Sequence, residues 1–136
     1  MKNIRFKDIE RIESFVKQNN DSPLQIWYDN VREKRLSDFS IEDICKAVRQ
    51  NLFIKYVMPK VITLLEENML AGELYEGELI AAVTNMPVKE WANIPTEMAT
   101  KTKEILMDAR NKVDSKLKGE IDFLLQRISS IKNGEQ

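Results

Sequence analysis

The chain has 136 residues, 43% hydrophobic and 32% charged, with a formal net charge of −1. That balance suits one soluble globular domain with a sizeable core, and it excludes a disordered chain or a global field that gathers nucleic acid or an anionic membrane. Histidine is absent, which excludes Ser-His-Asp and Cys-His catalysis, HExxH zinc sites and ExxH carboxylate-bridged iron sites. With only 4 Gly and 4 Pro, the chain is expected to form long regular elements. There is no GxGxxG or GxxxxGK[ST] motif. The single cysteine, Cys45, cannot form an internal disulfide, and the charged start "MKNIRFKDIERIESFV" has no apolar signal core. Both features point to a reducing cytoplasm.

Ile9, Ile12, Phe15 and Val16 fall at i, i+3, i+6 and i+7 and predict the apolar face of a short first helix. "NNDSP" ends it. Asp21 or Ser22 caps the second helix, Pro23 suits its first position, and the helix carries Leu24, Ile26, Trp27 and Val31. Arg32, Lys34 and Arg35 bring favourable charge to its C-terminus. Ser40 and Asp43 make a capping box for a third helix, with Asp where Glu or Gln is more usual. Ile41, Ile44, Cys45, Val48 and Leu52 keep helical spacing, so Cys45 is expected to be a small core residue.

The stripe continues through Tyr56, Val57, Val61, Leu64 and Leu65. Pro59 lacks an N–H and crowds the carbonyl one turn back, which predicts a kink or a helix start near Met58. "EENMLAGELYEG" breaks the pattern. A fifth helix follows from about residue 77 to 84, with Leu79, Ile80 and Val83 inward, and "NMPVKEW" makes a turn and a short helical piece. Over residues 96–131, Met98, Ile105, Leu106, Ala109, Val113, Leu117, Ile121, Leu124, Leu125, Ile128 and Ile131 form a narrow stripe. It predicts two helices hinged near Lys118, because Gly119 is the break in the pattern. No segment alternates like a strand. The expected architecture is all-α, a single compact helical domain of about six or seven helices over residues 1–131, with a frayed tail at 132–136.

Charge is spread unevenly. Residues 63–90 carry Glu66, Glu67, Glu73, Glu76, Glu78 and Glu90 against Lys89 alone. Three readings fit: an acidic patch for a basic partner, a solvated helix end, or a structural role. In the structural role, Glu73 or Glu78 turns inward to bond Arg49, or to accept the unpaired N–H groups where the fifth helix begins. Glu73 and Glu78 could also form an acid–base pair, but no other polar group there implies a substrate. No Asp-rich loop has the spacing of a cation site. Lys101, Lys103, Arg110, Lys112, Lys116 and Lys118 suggest a nucleic-acid face. Glu104, Asp108 and Asp114 interleave with them, however, and no aromatic lies between Trp91 and Phe123 to stack on a base. A solvated face is the simpler reading. Tyr75 and Trp91 flank the acids and are candidate interface anchors.

Residues 36–83 gather a recognisable pattern: Leu36-Ser37-Asp38, Glu42-Asp43, Arg49-Gln50-Asn51-Leu52, Pro59, Leu70-Ala71-Gly72-Glu73-Leu74-Tyr75 and Gly77-Glu78-Leu79. The segment resembles the immunity proteins of bacterial contact-dependent growth inhibition systems, with Asn68-Met69 standing where the family pattern has Asp-Pro. The resemblance implies a helical protein of the bacterial cytoplasm without catalytic residues, metal or cofactor. Its partner would be the C-terminal toxin domain of a cognate CdiA effector, held as a heterodimer, with no direct contact to nucleic acid, membrane or a small-molecule substrate. Such toxins are often nucleases, whose basic surfaces hold phosphates and could be met by an acidic mimic. The resemblance also divides the residues. Arg49, Gln50, Gly72, Glu73, Gly77 and Glu78 are expected to be framework, with the glycines letting the chain turn. Glu66, Glu67, Tyr75, Glu76, Glu90 and Trp91 are expected to be toxin contacts. The alternative is a helical regulatory or nucleic-acid-associated module using the 101–118 face.

Overall fold

The structure, a computed structural model, describes residues 4–16 and 20–134, with side chains through 129. The fold is all-α. Eight helices run through the described residues: α1 (Phe6–Ile12), α2 (Pro23–Val31), α3 (Ile41–Arg49), α4 (Ile54–Glu67), α5 (Glu78–Thr84), α6 (Val88–Asn93), α7 (Thr96–Ala109) and α8 (Ser115–Gly134). A 3-10 turn at Leu36–Asp38 precedes α3. An isolated bridge between Arg5 and Arg35 is the only extended pairing among the described residues. Of the expected tail at 132–136, α8 takes in the backbone to Gly134, and residues 135–136 lie outside the described residues.

The capping signals act where the sequence places them. The Ser22 hydroxyl accepts the Gln25 N–H at 3.1 Å, with Pro23 opening α2. Ser40 and Asp43 exchange both bonds of a capping box at 3.1 and 3.3 Å. Asp43 also accepts the Trp27 indole N–H at 3.0 Å and pairs with Lys34 at 3.2 Å, so one carboxylate joins the start of α3 to α2. Burial pushes its carboxyl up, but Trp27, Lys34 and the Ser40 N–H outweigh burial and hold it below its ordinary range. The Cys45 thiol is fully buried, and burial pushes it up to about 12, so it packs as a small core residue.

Some expectations are corrected and others are filled in. In α1 the buried pair is Phe6 and Ile9, while Ile12 and Val16 are exposed. Ser14 takes a positive φ of 52° just after the helix and turns the chain there. Phe15 then packs on Tyr28 and Phe53. In α2, Trp27, Tyr28 and Val31 face inward and Leu24 and Ile26 face out. Helix α4 runs through Pro59 and begins at Ile54, four residues before the start expected near Met58. Its N-cap, Phe53, adopts a left-handed φ of 46°, and the Phe53 ring packs edge-on against Phe6 and Phe15. Finally, the break between the last two helices lies before Ser115, and Gly119 sits inside α8. Asp114 sets that start: its carboxylate accepts the Leu117 N–H at 2.8 Å and its carbonyl the Lys118 N–H at 2.9 Å.

The core is built around α4 and α5. Helix α3 packs on both, α4 also packs on α7, and α8 packs on α5, α6 and α7. Met58, Leu65, Leu79, Ile80, Leu106, Ile121 and Ile128 are fully buried where these helices meet. No helix among the described residues is long and apolar enough to cross a membrane.

Candidate functional site

The loop between α4 and α5 takes its shape from one buried carboxylate. Glu78 is the first residue of α5 and is 1% exposed. One of its oxygens accepts the backbone N–H of Glu73 at 2.8 Å and of Leu74 at 3.0 Å. The other accepts the Arg49 guanidinium, at the C-terminal end of α3, at 2.9 Å. Burial pushes this carboxyl up, but the Leu74 and Glu73 N–H groups and Arg49 outweigh burial and keep it below its ordinary range. The N–H groups it satisfies thus belong to the loop, not to the first turn of α5.

Glycine is required twice in this loop. A Cβ on Gly72 would stand 2.1 Å from the Tyr75 carbonyl oxygen and 2.7 Å from the Glu78 Cβ. Gly77 caps α5 with a φ of +84°. Two further bonds close the loop: Gly77 N–H to the Leu70 carbonyl at 2.9 Å, and Leu79 N–H to the Ala71 carbonyl at 3.1 Å.

The braced loop presents its middle to solvent. Leu74 is 75% exposed and Tyr75 is 54% exposed, with Glu73 and Glu76 exposed on either side. Exposed Glu66 and Glu67 end α4 just ahead of it. Leu74 lies outside the contacts expected from the sequence. Its signal was available: a large apolar residue in a turn, off every helical stripe and set among glutamates.

The family model for CDI immunity proteins matches residues 8–100. That span holds most of α1, all of α2 through α6, the start of α7, and every residue of the Arg49–Glu78 clasp and its loop. The chain belongs to the CDI immunity protein family. No curated protein matches it individually.

In this CDI immunity protein, the remaining expected residues divide by position. The Glu73 side chain is exposed and only its backbone N–H joins the clasp. Gln50 caps the C-terminus of α3 with its side chain exposed, and lines a surface depression with Arg49 and Tyr75. Glu73 and Glu78 do not form an acid–base dyad, because both Glu78 oxygens are already engaged by three donors. Glu66 pairs with Lys101 at 3.0 Å. Glu90 is half-buried and borders a depression with Glu13, Tyr56 and Asn93, at the N-terminal end of α4. The 14 residues of α4, about 20 Å, separate that end from Glu67. Trp91, expected at the surface as a contact, is 3% exposed and packs in the core. Its indole N–H has no acceptor among the described residues. No group of three or more Cys, Asp or Glu among the described residues is placed to hold a metal ion. On the basic face, Lys101 is paired with Glu66, and Arg110 with Asp122.

Proposed function

We propose that this CDI immunity protein binds and neutralises the C-terminal toxin domain of its cognate CdiA effector in the bacterial cytoplasm, as a heterodimer and without catalysis of its own. It grips the toxin through the braced loop and the acids at the end of α4. The observation that carries this reading is the exposed pair Leu74 and Tyr75 on a loop whose backbone is tied down by buried Glu78. A segment already ordered before binding loses little conformational entropy on association, so its apolar contacts count nearly in full. A large apolar and an aromatic side chain ringed by charge match the anatomy of an interface hot spot with a polar rim.

The framework and the contact surface are neighbours in the chain. Arg49, Gly72, Gly77, Glu78 and the Glu73 backbone hold the loop, while Leu74, Tyr75, Glu76, Glu67 and Glu66 face the toxin. A toxin that is a nuclease carries a basic surface for phosphates, and these acids meet it with opposite potential. Co-purification with the cognate CdiA toxin domain, and rescue of cells expressing that domain, test the function. Reversing Glu66, Glu67 and Glu76 together to Lys is expected to weaken toxin affinity at least tenfold and leave the melting temperature unchanged. Affinity equal to wild type removes these acids from the interface.

A further inference from the structure

The outer face of α4 leads from the acidic end to a second surface. A groove of about 630 Å³ lies beside it, floored by Leu36, Tyr56, Pro59 and Met98 and edged by Lys55 and Lys60. Among the described residues, no carboxylate lines this groove. Lys55 pairs with Glu13 at 3.6 Å, and the Lys60 ammonium donates to the Ser37 carbonyl at 3.2 Å, with no carboxylate partner among the described residues. An apolar floor with a cationic edge is complementary to an apolar segment that carries a carboxylate.

Position on the helix connects the groove to the acids. Tyr56, Pro59, Lys60, Thr63 and Glu67 fall at i, i+3, i+4, i+7 and i+11, along one side of α4. That side is apolar and basic at its start and acidic at its end, with Lys60 and Glu67 about 10 Å apart along the axis. The exposed tip of the loop, residues 73–76, is too small to bury the roughly 800 Å² per partner of a stable complex. The adjoining side of α4 is where a bound domain can find the remainder.

We propose that the groove beside α4 seats an apolar, carboxylate-bearing segment of the same toxin domain, with its carboxylate against Lys60 and Lys55, while Glu67 and the loop hold the toxin's basic surface. This rests on the immunity reading and specifies its partner as a surface with two patches of opposite charge. The test uses the purified full chain and the cognate CdiA toxin domain, with the dissociation constant measured by calorimetry. Thr63→Arg fills the groove from an exposed helical position, and Lys55→Glu with Lys60→Glu reverses its edge. Each variant is expected to lose at least tenfold in affinity with an unchanged melting temperature. If wild type binds and both variants stay within twofold of it, the groove is overturned and the immunity reading stands. If wild type does not bind, both are overturned together. If Thr63→Arg instead breaks up a self-associated species seen by sedimentation, the occupant is a second copy and the proposal is wrong.

Discussion

Arg49–Glu78 and Arg110–Asp122 are the same device at two depths. Each arginine lies at the end of one helix and reaches an acid on a later one, and the two arginine side chains are almost equally exposed, 38% and 37%. The acids are not alike: the Glu78 side chain is 0% exposed and that of Asp122 is 41% exposed. Asp122 gives both oxygens to Arg110, at 2.7 and 3.0 Å. Glu78 gives one oxygen to Arg49 and the other to two backbone N–H groups of a loop. An ion pair in solvent trades hydration for contact at little net gain. A buried carboxylate that also satisfies backbone donors fixes the conformation of the segment that carries them.

Glu78→Ala should break the deeper clasp with the largest effect. It leaves two loop N–H groups and a half-exposed guanidinium without their acceptor, which costs about 3 kcal/mol. For a chain of this size the melting temperature should fall by roughly 10 °C, read by calorimetry. Toxin affinity should fall with it, because the loop loses its brace. A melt as mild as that of an Asp122 variant would mean that depth makes no difference.

Gly72→Ala attacks the same clasp from the backbone side. Its methyl group would meet the Tyr75 carbonyl oxygen and the Glu78 Cβ at distances no real contact tolerates, so the loop must shift away from the carboxylate. The expected loss is about 2 kcal/mol. Amide exchange at Glu73 and Leu74 should speed up in this variant, and unchanged exchange there would show that the loop holds its shape by other means.

How far these features could be read from the sequence depended on whether local chemistry or distant packing decided them. Ser22-Pro23 and the Ser40–Asp43 box are local signals, and they start their helices in the structure. The Gly77 start of α5 is equally local, since a left-handed φ favours glycine. Phe53 carries no such signal: its left-handed backbone is held by aromatic packing against Phe6 and Phe15, from the far end of the chain. Asp114 is a local cap as well, while Gly119, the stronger break by residue type, sits inside the helix. At the site, the sequence offers Arg49 a partner in either Glu73 or Glu78. That Glu78 rather than Glu73 turns inward, beside the tight approach at Gly72, is a matter of packing that spacing does not reveal. Nor does spacing reveal that α4 holds Glu90 away from the other acids.

Gly119→Ala sharpens the contrast from the shallow side. A Cβ there meets nothing within 4 Å, and the residue is helical. Alanine loses less backbone entropy in a helix, so stability should rise by about 0.5–1 kcal/mol, a small upward shift in the melt. The two glycines then answer one substitution with opposite signs, Gly72 by a loss and Gly119 by a gain. A loss at Gly119 would restore the hinge expected from the sequence.

Asp122→Ala should have the smallest effect, and acid separates it from Glu78. Arg110 holds the Asp122 carboxyl below its ordinary range, and the loop N–H groups with Arg49 do the same for Glu78 against the push of burial. A lowered carboxyl contributes its full stability above its ordinary value, about 4 for either residue, and loses that stability as pH falls through the lowered one. The gap between wild type and Glu78→Ala should therefore be wide at neutral pH and narrow steadily below about pH 4. The gap for Asp122→Ala should be near the error of the measurement at neutral pH and should vanish in about 1 M salt, where exposed charges are screened. Denaturant titrations of the three proteins across pH and salt read both behaviours. If the Glu78 gap also vanished in salt, solvent would be reaching the carboxylate, and the loop it braces would be held no more firmly than the surface clip between α7 and α8.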